Sequence, residues 1–210
     1  MRINKNIIGV AAIAAVAFTV GRLGLPLGNQ STAVAQDQGE MEMTPEQEAW
    51  MKAAMPGKHH KYLEALIGDF TADVKIWESP DAEPMQFTGT ISRKWILDGH
   101  FVQETVEADS PFGPFKAVGF IGFNNIDGEY QFIWLENQST TITVNSGFYN
   151  VEEKTLIQMG KHRDPATGKV VTGWSVLDLS DPYRHTVLGQ QVGPDGKEFK
   201  NFEAVFERKQ

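Results

Sequence analysis

MQFTGTISRKWIL (85–97), DG (98–99) and HFVQETVEAD (100–109) form the stretch that decides the fold. Both long runs alternate between apolar and polar residues, the period of a strand with one buried face. Asp98-Gly99 between them predicts a two-residue type I′ turn. That turn sets a register in which Leu97 faces His100, Trp95 faces Val102, Arg93 faces Glu104 and Ile91 faces Val106. Side chains alternate, so these pairs share one side of the sheet with Met85, Phe87 and Gly89. Gln86, Thr88, Thr90, Ser92 and Lys94 take the other side. Arg93 and Glu104 therefore stand opposite each other on the predominantly apolar face.

The same period runs outward from this hairpin. It predicts ten strands, at about 69–78, 85–97, 100–109, 114–124, 129–136, 140–149, 154–163, 169–179, 184–192 and 197–208. The connections are short and turn-forming: Ser79-Pro80-Asp81, Asp98-Gly99, Asp127-Gly128, Asp164-Pro165, Asp181-Pro182 and Gly193-Pro194-Asp195-Gly196. Connections this short join only antiparallel neighbours, because parallel strands need a crossover. The pattern predicts an all-β domain, either a sandwich or an up-and-down barrel. Before the strands, Thr44 with Pro45 and Gln47 has the spacing of a helix capping box. Trp50, Met51, Ala54 and Met55 fall on one face of that helix, which predicts that they pack inward. Pro56-Gly57 ends it. A second helical turn places Tyr62, Leu63, Leu66 and Ile67 on one side, with Gly68 as its stop.

The N-terminus reads differently. Arg2 and Lys5 precede an uncharged run at 7–20, and Ala33-Val34-Ala35 offers small residues before Gln36. That order is the signal-peptide pattern. The apolar run is short for a bilayer core of roughly 30 Å. Leu23, Leu25 and Leu27 extend it past Arg22, so an uncleaved N-terminal membrane anchor is the alternative. The chain thus divides into a leader or anchor (1–35), a spacer and short helix (36–55) and a β domain (56–210), with a periplasmic or extracellular destination. No cysteine is present, which excludes disulfides, thiolate metal sites, a Cys nucleophile and a lipidated N-terminal Cys. The leader holds three of the 19 basic residues and none of the 27 acidic ones, leaving a net charge of −11 on the remainder. Such a surface repels phosphate backbones and argues against nucleic-acid binding.

A series of short motifs runs through the β domain: His60-Lys61-Tyr62-Leu63 and Gly68-Asp69-Phe70, then Gly89, Arg93 and Gly99, then Gly119 and Gly122-Phe123-Asn124 before Tyr130 and Trp134. Gly147-Phe148-Tyr149 follows, and Gly193-Pro194-Asp195-Gly196-Lys197-Glu198-Phe199 comes near the end. In order and spacing, residues 56–208 resemble the DUF1579 family of uncharacterised bacterial proteins. The resemblance implies a calycin-like, lipocalin-like antiparallel barrel with N-terminal helices plugging or flanking one end. Phe70 stands where that family usually has Trp, which removes the indole from a Trp–Arg stack of the lipocalin type. Asn124 stands where Asp is expected.

Arg93 and Glu104 are the first candidate site. Inside a barrel they would form a polar anchor for a carboxylate or another polar group, since guanidinium binds carboxylate through two parallel hydrogen bonds. As a purely structural pair, they would neutralise each other near a barrel end. Trp95 and Trp134 have the phase of cavity-lining residues, His100 flanks the hairpin and His60 sits in the plug turn. Any of His59, His60, His100, His162 and His185 could serve as an axial haem ligand, but turn or capping roles explain them better. Met41, Met43, Met51 and Met55 with His59-His60 offer ligand types that suit copper, although helix packing explains Met51 and Met55. No resident cofactor or metal is predicted. Catalytic motifs are absent: there is no G-x-S-x-G and no H-E-x-x-H. The tripeptide His162-Arg163-Asp164 stands without other kinase motifs. Glu104, Glu107 and Glu136 are scattered acids, and no general acid–base pair stands out among them. The reading is an exported binding protein that holds a small, largely apolar molecule inside the barrel. The alternatives are an isomerase or hydrolase using the same cavity, and a structural or interaction protein whose barrel is filled by side chains.

Overall fold

The computed structural model describes residues 43–165, 167–193 and 196–210. The leader, the spacer with Met41, and Pro194-Asp195 of the last turn lie outside the described residues. Helix α1 spans Pro45–Ala54, α2 spans Lys58–Tyr62, and a 3-10 turn covers Leu63–Leu66. Ten strands follow: β1 Gly68–Ile76, β2 Met85–Ile96, β3 Phe101–Ser110, β4 Gly113–Asn124, β5 Glu129–Glu136, β6 Thr143–Asn150, β7 Thr155–Arg163, β8 Val170–Asp178, β9 Arg184–Val192 and β10 Glu198–Arg208. Each pairs antiparallel with its sequence neighbours, and β1 pairs with both β2 and β10. The alternation therefore resolves into a closed up-and-down barrel rather than a sandwich, and closure leaves no unpaired sheet edge.

The hairpin register follows the reading from sequence: Ile91 pairs with Val106, Arg93 with Glu104 and Trp95 with Val102. Asp98 and Gly99 both take positive φ, 56° and 83°, as a type I′ turn requires. The His100 N–H donates to the Leu97 carbonyl at 3.3 Å. The ladder nevertheless stops at Ile96 and Phe101. Leu97 is itself left-handed, with φ 49°, and this removes the expected Leu97–His100 pair from the sheet.

Two further expectations are corrected. Strand β6 begins at Thr143, not near 140, because side-chain bonds hold the preceding loop against the start of β4. The Lys116 N–H donates to Asn137 Oδ1 at 2.8 Å, Asn137 Nδ2 donates to the Pro114 carbonyl at 2.9 Å, and Gln138 Nε2 donates to Ser110 Oγ at 3.0 Å. Helix α1 buries none of its residues, and Trp50, Met51 and Met55 remain about half exposed or more. Packing therefore does not account for these methionines. The helix is held at its ends by hydrogen bonds. Thr44 and Gln47 form the capping box. At the other end, Asn125 Nδ2 donates to the carbonyls of Ala53 and Met55, both at 2.9 Å.

The second helical segment closes one end of the barrel. Leu63 and Leu66 are fully buried against Val102, Ile121, Tyr130 and Leu156. The Tyr130 hydroxyl donates to the His59 carbonyl at 2.9 Å. Arg208, at the end of β10, ties the plug to the wall: Nη1 donates to the Ile67 carbonyl at 2.6 Å and Nε to the Pro182 carbonyl at 2.9 Å. Its guanidinium lies 4.6 Å from the Phe70 ring centre. An arginine stack is therefore present with Phe70 in place of tryptophan, since a phenyl face also attracts a cation.

Gly68 makes this junction possible. Its φ is +139°, and a β-carbon there would fall 2.1 Å from Arg208 Nη1. Gly68→Ala is expected to lower stability by about 2–4 kcal/mol, through backbone strain and displacement of Arg208. Gly57→Ala, where a β-carbon meets nothing within 4 Å, should change it by about 0.5 kcal/mol or less. Urea unfolding of the two variants checks the contrast; equal midpoints would show that the Gly68–Arg208 junction does not carry the closed end.

Candidate functional site: the barrel cavity

Inward-facing residues fill the closed end but not the rest of the barrel. Beyond the plug lies a cavity of about 520 Å³. Val74, Phe87, Val106, Phe115, Leu177 and Phe202 are among the apolar side chains of its wall. The β3–β4 turn and the β5–β6 loop contribute Phe112 and Gln138 at the end opposite the plug.

Arg93 and Glu104 both line this cavity. Arg93 Nε donates to Glu104 Oε2 at 3.0 Å, with the two side chains only 4% and 13% exposed. The guanidinium carbon sits 4.8 Å from the Phe206 ring centre and 5.6 Å from that of Phe70. A buried cation is thus held by one carboxylate and two aromatic faces. Arg93 Nη1 is buried with no hydrogen-bond partner among the described residues. Glu104 has room because its cross-strand partner is Gly119. A β-carbon there would lie 2.5 Å from Glu104 Oε1.

Of the other residues singled out from sequence, Trp134 lines the cavity and donates from Nε1 to Glu136 Oε2 at 3.2 Å. Trp95 does not line it. It packs against the plug cluster and donates from Nε1 to Glu64 Oε2 at 2.8 Å. His100 also lies outside, because the Asp98-Gly99 turn is at the plugged end. One of its ring nitrogens faces the Leu97 carbonyl and the other faces the Ala54 carbonyl at 2.9 Å, which joins α1 to the hairpin. His60 is buried in the plug turn, where its Nδ1 accepts the Gly57 N–H at 3.0 Å. Burial first, then neighbouring His100 and His59, holds its pKa below the ordinary histidine value. His59 stacks on Phe123 with ring centres 4.1 Å apart, and His162 is exposed. Among the described residues, no three His, Asp or Glu side chains converge to hold a metal ion.

Sequence reasoning gave His185 no particular role. It is completely buried below the cavity, paired with Phe206 across the β9–β10 ladder and 5.0 Å from the Phe70 ring. Neither ring nitrogen has a hydrogen-bond partner among the described residues. Burial, and then the charges of Arg93 and Arg208, push its pKa down to about 4, against a weaker upward pull from Asp181 and Asp178. The strand period would have placed His185 inward, in phase with Val187. It does not reveal that two arginines converge there.

The comparisons with known proteins agree with this architecture. The family model for DUF1579, a protein family of unknown function, matches residues 55–208. The chain belongs to the DUF1579 family. A search of curated proteins finds no match. Among solved structures, Rv2717c from M. tuberculosis superposes with a TM-score of 0.54 at 14% identity, covering 74% of this chain and all of that one. At that identity the likeness concerns the fold alone. A de novo designed fluorescence-activating β-barrel aligns with a TM-score of 0.38 and 14% identity over 70% of this chain and 95% of its own.

Removing one member of the Arg93–Glu104 pair leaves a buried charge uncompensated. Arg93→Ala and Glu104→Ala should each lower stability by about 3–5 kcal/mol in chemical denaturation. Wild-type midpoints for both would mean that the pair is solvated. His185 gives a pH dependence of defined sign. The unfolded chain takes up a proton near pH 6.5, whereas the folded chain holds the imidazole neutral down to about 4. Between those values the unfolded state binds more protons, so stability rises with pH. The contribution is complete above about pH 6.5 and is lost as pH falls toward 4, amounting to about 3 kcal/mol. Unfolding measured from pH 7 to 4 should show this loss, and His185→Phe should flatten it; an unchanged slope in the variant would remove His185 as the cause.

Proposed function

We propose that this protein is exported and binds a small, largely apolar molecule inside the barrel. The observation that carries the binding reading is an unpartnered, buried arginine donor in the wall of a large apolar cavity. The cavity volume of about 520 Å³ falls in the range of small-molecule sites, roughly 300–1,000 Å³. A barrel filled by its own side chains has no such space. Most of the wall is hydrocarbon, so ligand burial would supply affinity. A ligand with a polar oxygen at that depth would accept from Arg93 Nη1, which would relieve the cost of an unsatisfied buried donor. Support for export comes from the sequence: the basic start, the uncharged run at 7–20 and Ala33-Val34-Ala35 before Gln36.

Native mass spectrometry of the protein purified from its own host tests both parts. The expected result is a chain beginning at Gln36 that carries a bound small molecule released on denaturation. A full-length chain in the soluble fraction would remove the cleaved leader. The neutral dye Nile red should bind the wild type, and Val106→Trp, which fills the cavity, should weaken it at least about tenfold while unfolding stays cooperative. Equal dye binding by a folded Val106→Trp variant would place the dye elsewhere and count against the cavity.

A further inference from the structure

The cavity wall is not uniform, and its asymmetry bears on the ligand's chemistry. Three formally charged side chains line the main cavity: Arg93, Glu104 and Glu136. The first two neutralise each other at 3.0 Å, so the lining carries a net formal charge of −1. A bound carboxylate would add a second uncompensated negative charge in a partly desolvated space, which is unfavourable. Arg93's free donor therefore suits a neutral oxygen better than an anion.

A second, polar cavity of about 200 Å³ adjoins the first. Thr143, Asn145, Gln158, Ser175 and Phe202 line both. Asn145 Nδ2 donates to Gln158 Oε1 at 3.4 Å, and Gln158 Nε2 donates to Ser175 Oγ at 2.9 Å. This relay leaves an acceptor at Asn145 Oδ1 and the hydroxyl proton of Ser175 available. Glycines make space for it. A β-carbon at Gly160 would lie 1.7 Å from Asn145 Oδ1, and Gly173, cross-strand from Gly160, lines the same cavity. Lys161 and His162 line this side cavity and are exposed, so water screens the Lys161 charge.

We infer that the barrel selects an uncharged amphiphile: an apolar body in the main cavity and a neutral hydrogen-bonding head, of the amide or hydroxyl class, at the Asn145–Gln158–Ser175 strip. This rests on the binding reading above and adds to it the class of ligand. An amide head both donates and accepts, which matches what the relay leaves free. A carboxylate head only accepts, and the main cavity beside the strip carries a net negative formal charge.

Calorimetric titration at low ionic strength with dodecanamide and dodecanoate, which share one chain length, tests the inference, with Nile red as a neutral probe of the main cavity. Wild type should bind dodecanamide at least about tenfold more tightly than dodecanoate. Gln158→Leu, which removes the relay at similar volume, should reduce that ratio to about threefold or less. Glu136→Gln, which removes one negative charge, should raise dodecanoate affinity about threefold or more. Should Gln158→Leu fail to fold, the wild-type ratio and Glu136→Gln decide. Nile red binding together with dodecanoate equal to or tighter than dodecanamide overturns this inference and leaves the binding reading standing. Failure of all three probes to bind overturns both.

Discussion

The rest of the structure depends on β1 pairing with two strands at once. Its residues from Phe70 to Ile76 bond to β10 on one side and β2 on the other. Without that double pairing, the sheet would be an open ribbon with two exposed edges. With it, ten strands form a cylinder, and barrel diameter grows with strand number. The interior is then wider than side chains such as Ala72, Val74 and Ala108 can fill. The cavity is thus a geometric consequence of closure at this strand number combined with modest inward side chains.

Closure also concentrates polar groups away from bulk water. Arg93, Arg208 and His185 meet around Phe70 and Phe206 below the cavity. Each solves the desolvation problem differently. Arg208 donates to carbonyls of the plug and to that of Pro182. Arg93 is balanced by the Glu104 carboxylate at 3.0 Å. His185 has no partner and gives up its charge. Among the described residues Arg93 Nη1 has no hydrogen-bond partner, unlike the three guanidinium nitrogens of Arg208.

Glycine placement links the sequence pattern to the site. Gly119 makes room for Glu104, Gly160 for Asn145, and Gly68 for Arg208. In each case a missing β-carbon on one strand accommodates a large polar side chain from elsewhere in the barrel. Gly119 on β4 and Gly160 on β7 thus mark where polar groups enter an otherwise apolar wall. Trp95 and His100 show the limit of strand phase as a guide. Both follow the inward period of the hairpin, yet they lie at its plugged end, where the helical turn and α1 occupy the space.

By itself, the sequence determined the elements and the local pairing. Period-two alternation and turn residues placed all ten strands with small boundary differences, and Asp98-Gly99 set the Arg93–Glu104 pair, because both are local properties of backbone conformation and side-chain alternation. The capping box of α1 was legible for the same reason. The tertiary structure decided what depends on distant segments meeting: barrel rather than sandwich, the exposure of Trp50 and Met51, the burial of His185 between two arginines, and a wall divided into apolar and amide-lined parts. No local pattern encodes these features, since they arise from the curvature and closure of the whole sheet.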